Sequence, residues 1–152
     1  MFFATMDSPK SFMHALLIGT GFDRLMLREA SITTFVTFRI EGNWNAEFTG
    51  QERPEGFCRW EEVKEEVVSW VRGAKTPRQM KLVFSASDAL RQKVAPTSSV
   101  LFLNVTFEEG KVKVATGASM ASFQLDRSAE YAWDGWTETF LRKLGLHFQS
   151  MV

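Results

Sequence analysis

Two runs of alternating apolar and polar residues, Val100–Phe107 and Lys111–Ala118, are separated only by Glu108-Glu109-Gly110. Alternation with a period of two puts every second side chain on one face of a strand, and a residue–glycine pair between two such runs is a hairpin signal. With Glu109 and Gly110 in the turn, Glu108 stands opposite Lys111, Phe107 opposite Val112, and Val105 opposite Val114. Opposite charges then meet, and the apolar pairs share one side. A slip of one residue would turn every apolar side chain of one strand to the wrong face, so this register is strongly specified. The rest of the chain has to cover the apolar side.

Helical stripes that can do so recur along the sequence. Ser8-Pro9 offers a cap followed by a proline at the first helical position, and Phe12, Met13, Leu16 and Leu17 predict a helix over about 9–18, with Gly19 as its stop. Trp60, Val63, Val67, Trp70 and Val71 predict a second helix from Arg59 to Arg72, closed by Gly73. Asp126 or Ser128 can cap a third, carrying Trp133, Trp136, Phe140 and Leu144 and ending at Gly145.

Strands are expected at Phe2–Met6 (an edge), Phe22–Glu29, Thr33–Glu41, Met80–Ala86 and Ala121–Leu125, besides the hairpin. Gly42 to Gly56 reads as a long turn with one short strand around Ala46–Thr49, and Ser87-Asp88 as the start of a short helical turn that Pro96 ends. Strands in runs with helices between them argue for a single α+β domain over 1–152, with a mainly antiparallel sheet of about five to seven strands and three helices.

Composition narrows the function classes. Hydrophobic residues make up 45% and charged residues 24% of the 152, as in an ordinary globular chain. Eighteen basic residues balance eighteen acidic ones, which removes the simplest electrostatic case for a nucleic-acid partner. The N-terminal apolar run is too short to cross a bilayer and is followed by Asp7 and Pro9, so no membrane association and a cytoplasmic location are expected. Five Trp and fourteen Phe against one Tyr suggest a bulky core more than an aromatic binding surface.

The chemistry-bearing residues are sparse. His14, Cys58 and His147 are the whole His and Cys supply, too few for a dedicated zinc set, and no cofactor is expected. Folding should not need metal, because a chain of this size buries a large core. His14 is expected to be partly buried in its helix and Cys58, beside Phe57 and Trp60, to be a small buried hydrophobe rather than a nucleophile. Gly19-Thr20-Gly21 follows a helix and precedes a strand, the reverse of a phosphate loop. Glu61, Glu62, Glu65 and Glu66 sit in the first turns of the second helix, where negative charge is favoured, and read as a solvated face. Gly135 is out of place inside the third helix; close packing on the sheet, or contact with a ligand or partner, would explain it.

Two basic groups remain as candidates for an anion or partner site. Arg72, Lys75, Arg78 and Lys81 cluster after the second helix, where the helix dipole alone favours cations. Arg24, Arg28 and Arg39 alternate with Leu25, Leu27, Val36, Phe38 and Ile40 on adjacent expected strands, so one open sheet face could display them together with Glu29, Thr33 and Thr37. Arginine's planar donor fork suits carboxylate or phosphate.

Read together, Phe22-Asp23, Glu29-Ala30, Ser31-Ile32-Thr33-Thr34-Phe35, Leu101-Phe102-Leu103-Asn104, Thr116-Gly117 and Ala132-Trp133-Asp134 resemble a family of small proteins from Clostridia and related Firmicutes, classed only as a domain of unknown function. The resemblance implies a bacterial, cytoplasmic single domain and brings no activity or catalytic residues with it. With no catalytic constellation in view, the leading expectation is a noncatalytic binding or regulatory domain with a protein or anionic partner. An enzyme built from dispersed Glu, Asp and Arg residues is the alternative. A clamp-like association with DNA, suggested only by element order, ranks below both.

Overall fold

A computed structural model describes residues 1–71, 76–123 and 125–151. Its elements run β1 (Phe3–Met6), α1 (Pro9–Leu17), β2 (Met26–Thr33), β3 (Thr37–Glu41), α2 (Ala46–Thr49), β4 (Cys58–Arg59), α3 (Trp60–Val71), β5 (Gln79–Ser85), α4 (Asp88–Val94), β6 (Ser98–Glu108), β7 (Lys111–Met120), α5 (Ser128–Lys143) and β8 (Phe148–Ser150). The fold is α+β, with all strand pairs antiparallel in one sheet of order β3-β2-β5-β6-β7-β1-β8, and β4 attached to β2.

The β6–β7 hairpin has the expected register, with Glu108 opposite Lys111, Phe107 opposite Val112 and Val105 opposite Val114. All four apolar residues are buried. Glu109 and Gly110 both have positive φ, the backbone of a type I′ turn, whose twist matches the strands. Ser8 caps α1 by accepting from the Ser11 amide at 3.1 Å, and Gly145 ends α5 in the left-handed conformation. Helices α1, α3 and α5 bury Phe12, Leu16, Trp60, Val67, Trp133 and Leu141 in one core with the inward residues of the strands.

Eight strands and five helices among the described residues exceed the expected number, because four short elements leave too little periodicity to read. The expected strand at Ala46–Thr49 is the single helical turn α2. The expected edge strand at the N-terminus lies inside the sheet, since β8 pairs along its outer side. Of the expected strand Ala121–Leu125, the described residues Ala121–Phe123 and Leu125 form none: β6 begins at Ser98, opposite Met120, so it offers them no partner backbone, and Phe123 and Leu125 project into solvent. Phe22–Leu25 forms turns instead of the start of β2, held by Lys64 Nζ, which bonds the Gly19 carbonyl and Asp23. Phe35, Phe48 and Phe123 are each about 90% exposed, so not all of the aromatic excess enters the core.

The segment between β3 and α3 is held at two points. A Cβ on Gly42 would lie 1.8 Å from the Leu27 carbonyl oxygen, so only glycine fits that close approach. Further along, Arg53 stacks on Trp44 at 3.6 Å and grips both oxygens of Glu62 at 2.6 and 3.1 Å. Glu62 also accepts from the Arg59 amide at 2.7 Å, the carboxylate half of a capping box on α3. Glu62 is therefore a structural link rather than part of a solvated acidic face.

Gly135 faces open space: apart from its chain neighbours and its own helix backbone, no described atom lies within 4 Å of an added Cβ, so sheet packing does not account for it. Gly135→Ala should raise stability by about 1 kcal/mol, the helix-propensity gain, while Gly42→Ala should lower it severely; paired denaturant titrations check both. Arg53 holds the Glu62 carboxyl below its ordinary value, chiefly through the side-chain hydrogen bond and against the opposing effect of burial. The link is thus fully stabilising above the unfolded carboxylate range and is lost as pH falls through the lowered folded value. Glu62→Gln should cost about 1–2 kcal/mol at neutral pH, and the deficit should shrink as the wild-type carboxylate protonates in acid.

Candidate functional site

Helices α1, α3 and α5 pack on one face of the sheet. The other is covered near Ser85 by Arg28 and Phe57 and is open along the strands beyond. Its polar character follows from the register: Arg39 pairs with Ser31, Ser31 with Lys81, Lys81 with Thr106, Thr106 with Lys113, and Lys113 with Thr5. These residues form one straight row across six adjacent strands. The row alternates cation and hydroxyl and contains no carboxylate. Strands lie about 4.8 Å apart, so Arg39, Lys81 and Lys113 recur roughly every 10 Å.

The neighbouring rows differ. On one side Glu41 and Glu29 stand directly opposite each other, a like-charge pair that costs stability, followed by Val83, Asn104, Ala115 and Phe3. On the other are Thr37, Thr33, Gln79, Glu108 and Lys111. Two polar depressions lie along this face. One, of about 350 Å³, is lined by Glu29, Ser31, Arg39, Glu41, Gln79 and Lys81; the other, of about 240 Å³, by Thr106, Glu108, Glu109, Lys111 and Lys113. Among the described residues, the one ion pair of the row's cations is the exposed Lys81–Glu29 contact at 4.0 Å, of little energetic weight.

The expected trio Arg24, Arg28 and Arg39 does not line one site. Only Arg39 stands exposed on the open face. Arg24 precedes β2 and lies against α4 and α5. Arg28 sits at a β-bulge, where the β2–β5 register shifts between Leu27 and Glu29. Its Nε donates to buried Ser85 Oγ at 3.1 Å, and its guanidinium lies 4.3 Å from the Phe57 ring and 5.1 Å from that of Phe102. Burial lowers its pKa. The alternation expected from sequence fails here because the bulge changes which residues face outward.

Of the second basic group, Lys81 joins Arg39 on the face, and Arg78 is exposed just before β5, its amide bonded to the Thr33 carbonyl. Arg72 and Lys75, with Gly73, lie outside the described residues. Lys113, Thr106 and Thr5 were not singled out by sequence reasoning, although the hairpin register already placed Thr106 opposite Lys113.

His14 is exposed rather than partly buried, on the wall of a cleft of about 640 Å³ where α1 and α5 end. Cys58 is buried, and burial pushes its thiol pKa up, away from nucleophilic character.

A family model described as "Family of unknown function (DUF5721)" matches residues 15–149. The chain belongs to DUF5721. Neither a curated protein nor a solved structure matches it. This DUF5721 chain presents a row of exposed cations on its open face. Among the described residues, no helix is long and apolar enough to cross a membrane.

The different settings of two arginines give a test. Arg28→Ala should cost about 1–2 kcal/mol by stripping a hydrogen bond and a cation–π contact from a half-buried site, whereas Arg39→Ala should change stability by no more than about 0.5 kcal/mol. Chemical denaturation of the two variants distinguishes them.

Proposed function

We propose that the chain is a noncatalytic binding module that lays an extended, acidic segment of a partner protein along the cationic row of its open sheet face. The observation that carries this reading is the segregation of charge: Arg39, Lys81 and Lys113 share one row with three hydroxyls, and the acids stand in the rows beside it. Burial does not account for these cations, which are all exposed. Carboxylates spaced along an extended peptide can meet cations repeating at roughly 10 Å, with Ser31, Thr106 and Thr5 donating between them.

The opposed Glu29 and Glu41 give the surface a repulsive border, which restricts where an acidic segment can lie and so contributes specificity. A protein partner fits better than single-stranded nucleic acid, because the row carries no aromatic platform for bases and the chain has no net positive charge. The single thiol, free and buried, fits work in a reducing compartment such as the cytoplasm.

Titration of a ten-residue glutamate peptide at low salt, followed by calorimetry, tests the proposal. Saturable binding should weaken with added salt and drop about tenfold or more in the Arg39→Ala/Lys81→Ala/Lys113→Ala variant, the loss that three screened ion pairs provide. Absence of binding at low salt, equal binding by the variant, or preference for a single-stranded oligonucleotide would overturn it.

A further inference from the structure

On the helical side of the molecule, away from the cationic row, α4, α5 and the turn before β2 enclose an apolar groove of about 320 Å³. Its inner surface is Leu25, Leu90, Trp136 and Phe140, and its rim carries Arg24 and Lys93. The aromatic wall is a continuous stack. Trp136 stacks between Trp133, at 5.0 Å, and Phe140, at 4.8 Å, and the Phe140 ring meets buried Phe22 edge-on at 5.1 Å. Trp136 and Phe140 are only half-buried, so the stack presents ring surface to the groove instead of closing it.

The rim is charged with one sign. Among the described residues, no carboxylate lines the groove and neither Arg24 nor Lys93 forms an ion pair. The nearest acid in sequence to Arg24, Asp23, is held by Lys64 at 2.6 Å. Lys93 lies in the last turn of α4, where the helix dipole favours a cation, but Arg24 has no such account. Two unpaired cations over an apolar, ring-lined groove define a ligand with an anionic head and an apolar body.

We propose that this groove is a binding site for a small organic carboxylate, with an aromatic ring or short acyl chain against Trp136 and Phe140 and its carboxylate between Arg24 and Lys93. Size agrees with this occupant: a cavity of about 150 Å³ holds one benzene ring, and about twice that volume admits a ring with a short chain. The site is independent of the open sheet face and shares no residue with it.

The probe is 4-phenylbutyrate, with 4-phenylbutan-1-ol as its uncharged counterpart, titrated at low salt and followed by amide and indole chemical shifts. The acid should saturate the indole signal of Trp136, assigned by its loss in Trp136→Phe, with a Kd of about 1 mM or tighter. Arg24→Ala/Lys93→Ala should weaken the acid at least about fivefold and leave the alcohol unchanged, while Ala89→Phe, which fills the groove from its exposed edge, should abolish binding of both. Lys81→Ala should bind the acid like the wild type, so a failure of the sheet-face reading would not be mistaken for a failure here. No saturable shift at Trp136, equal affinity of the double variant for the acid, or undiminished binding by Ala89→Phe would overturn the proposal.

Discussion

The pairing of β6 with β7 sets the geometry that the other elements inherit. Ten residue pairs run from Ser98–Met120 to Glu108–Lys111, and β5 and β1 take their registers from the two outer edges of this hairpin. Because side chains alternate with a period of two, that register decides at once which residues meet the helices and which meet water. Val105 and Val114 face the core, so Thr106 and Lys113 face out. The row that ends in Arg39 and Thr5 is the lateral extension of this one pair. The core and the candidate surface are two consequences of the same hydrogen-bond ladder.

At the other end of the sheet the ladder is interrupted. The bulge in β2 turns Arg28 onto Ser85 and into the space between Phe57 and Phe102, and Gly42 then passes close enough to Leu27 that no Cβ fits. Beyond it, β4 pairs with Met26 and Leu27, and the Trp44–Arg53–Glu62 chain of contacts delivers the backbone to the first turn of α3. A long irregular connection is thereby tied down by a few charged and aromatic groups instead of by a regular ladder, which concentrates the effect of substitution in few residues.

Legibility in the sequence follows the length of each element. The hairpin and the helices α1, α3 and α5 carry three or more apolar repeats each, enough for period, caps and stops to agree. β4 and β8, with two and three residues, contain no period, and their existence depends on which distant backbone lies alongside. The arginine trio failed for a related reason. Arg24, Arg28 and Arg39 alternate correctly in one dimension, but a bulge and a turn anchored by Lys64 decide their directions in three. Lys81 and Arg39 belong to two separate basic groups in the sequence, and only the pairing of β2 with both β3 and β5 brings them to flank the same Ser31.

Charge balance over the whole chain is a poor guide to the local charge of this surface. Eighteen cations against eighteen anions leave no net field to steer a polyanion from afar, so association at the open face has to be decided at contact distance. At that distance the arrangement is not neutral. A line of cations and hydroxyls borders a pair of carboxylates that stand opposite each other at some cost to the sheet, while on the helical side two cations overhang a groove with no acid in its lining. Local conflicts that folding does not require tend to mark where a protein meets something else. Among the described residues, the Glu29–Glu41 opposition and the exposed Gly135 are two such conflicts, and the first lies on the very row that would confine an acidic segment to the cations beside it.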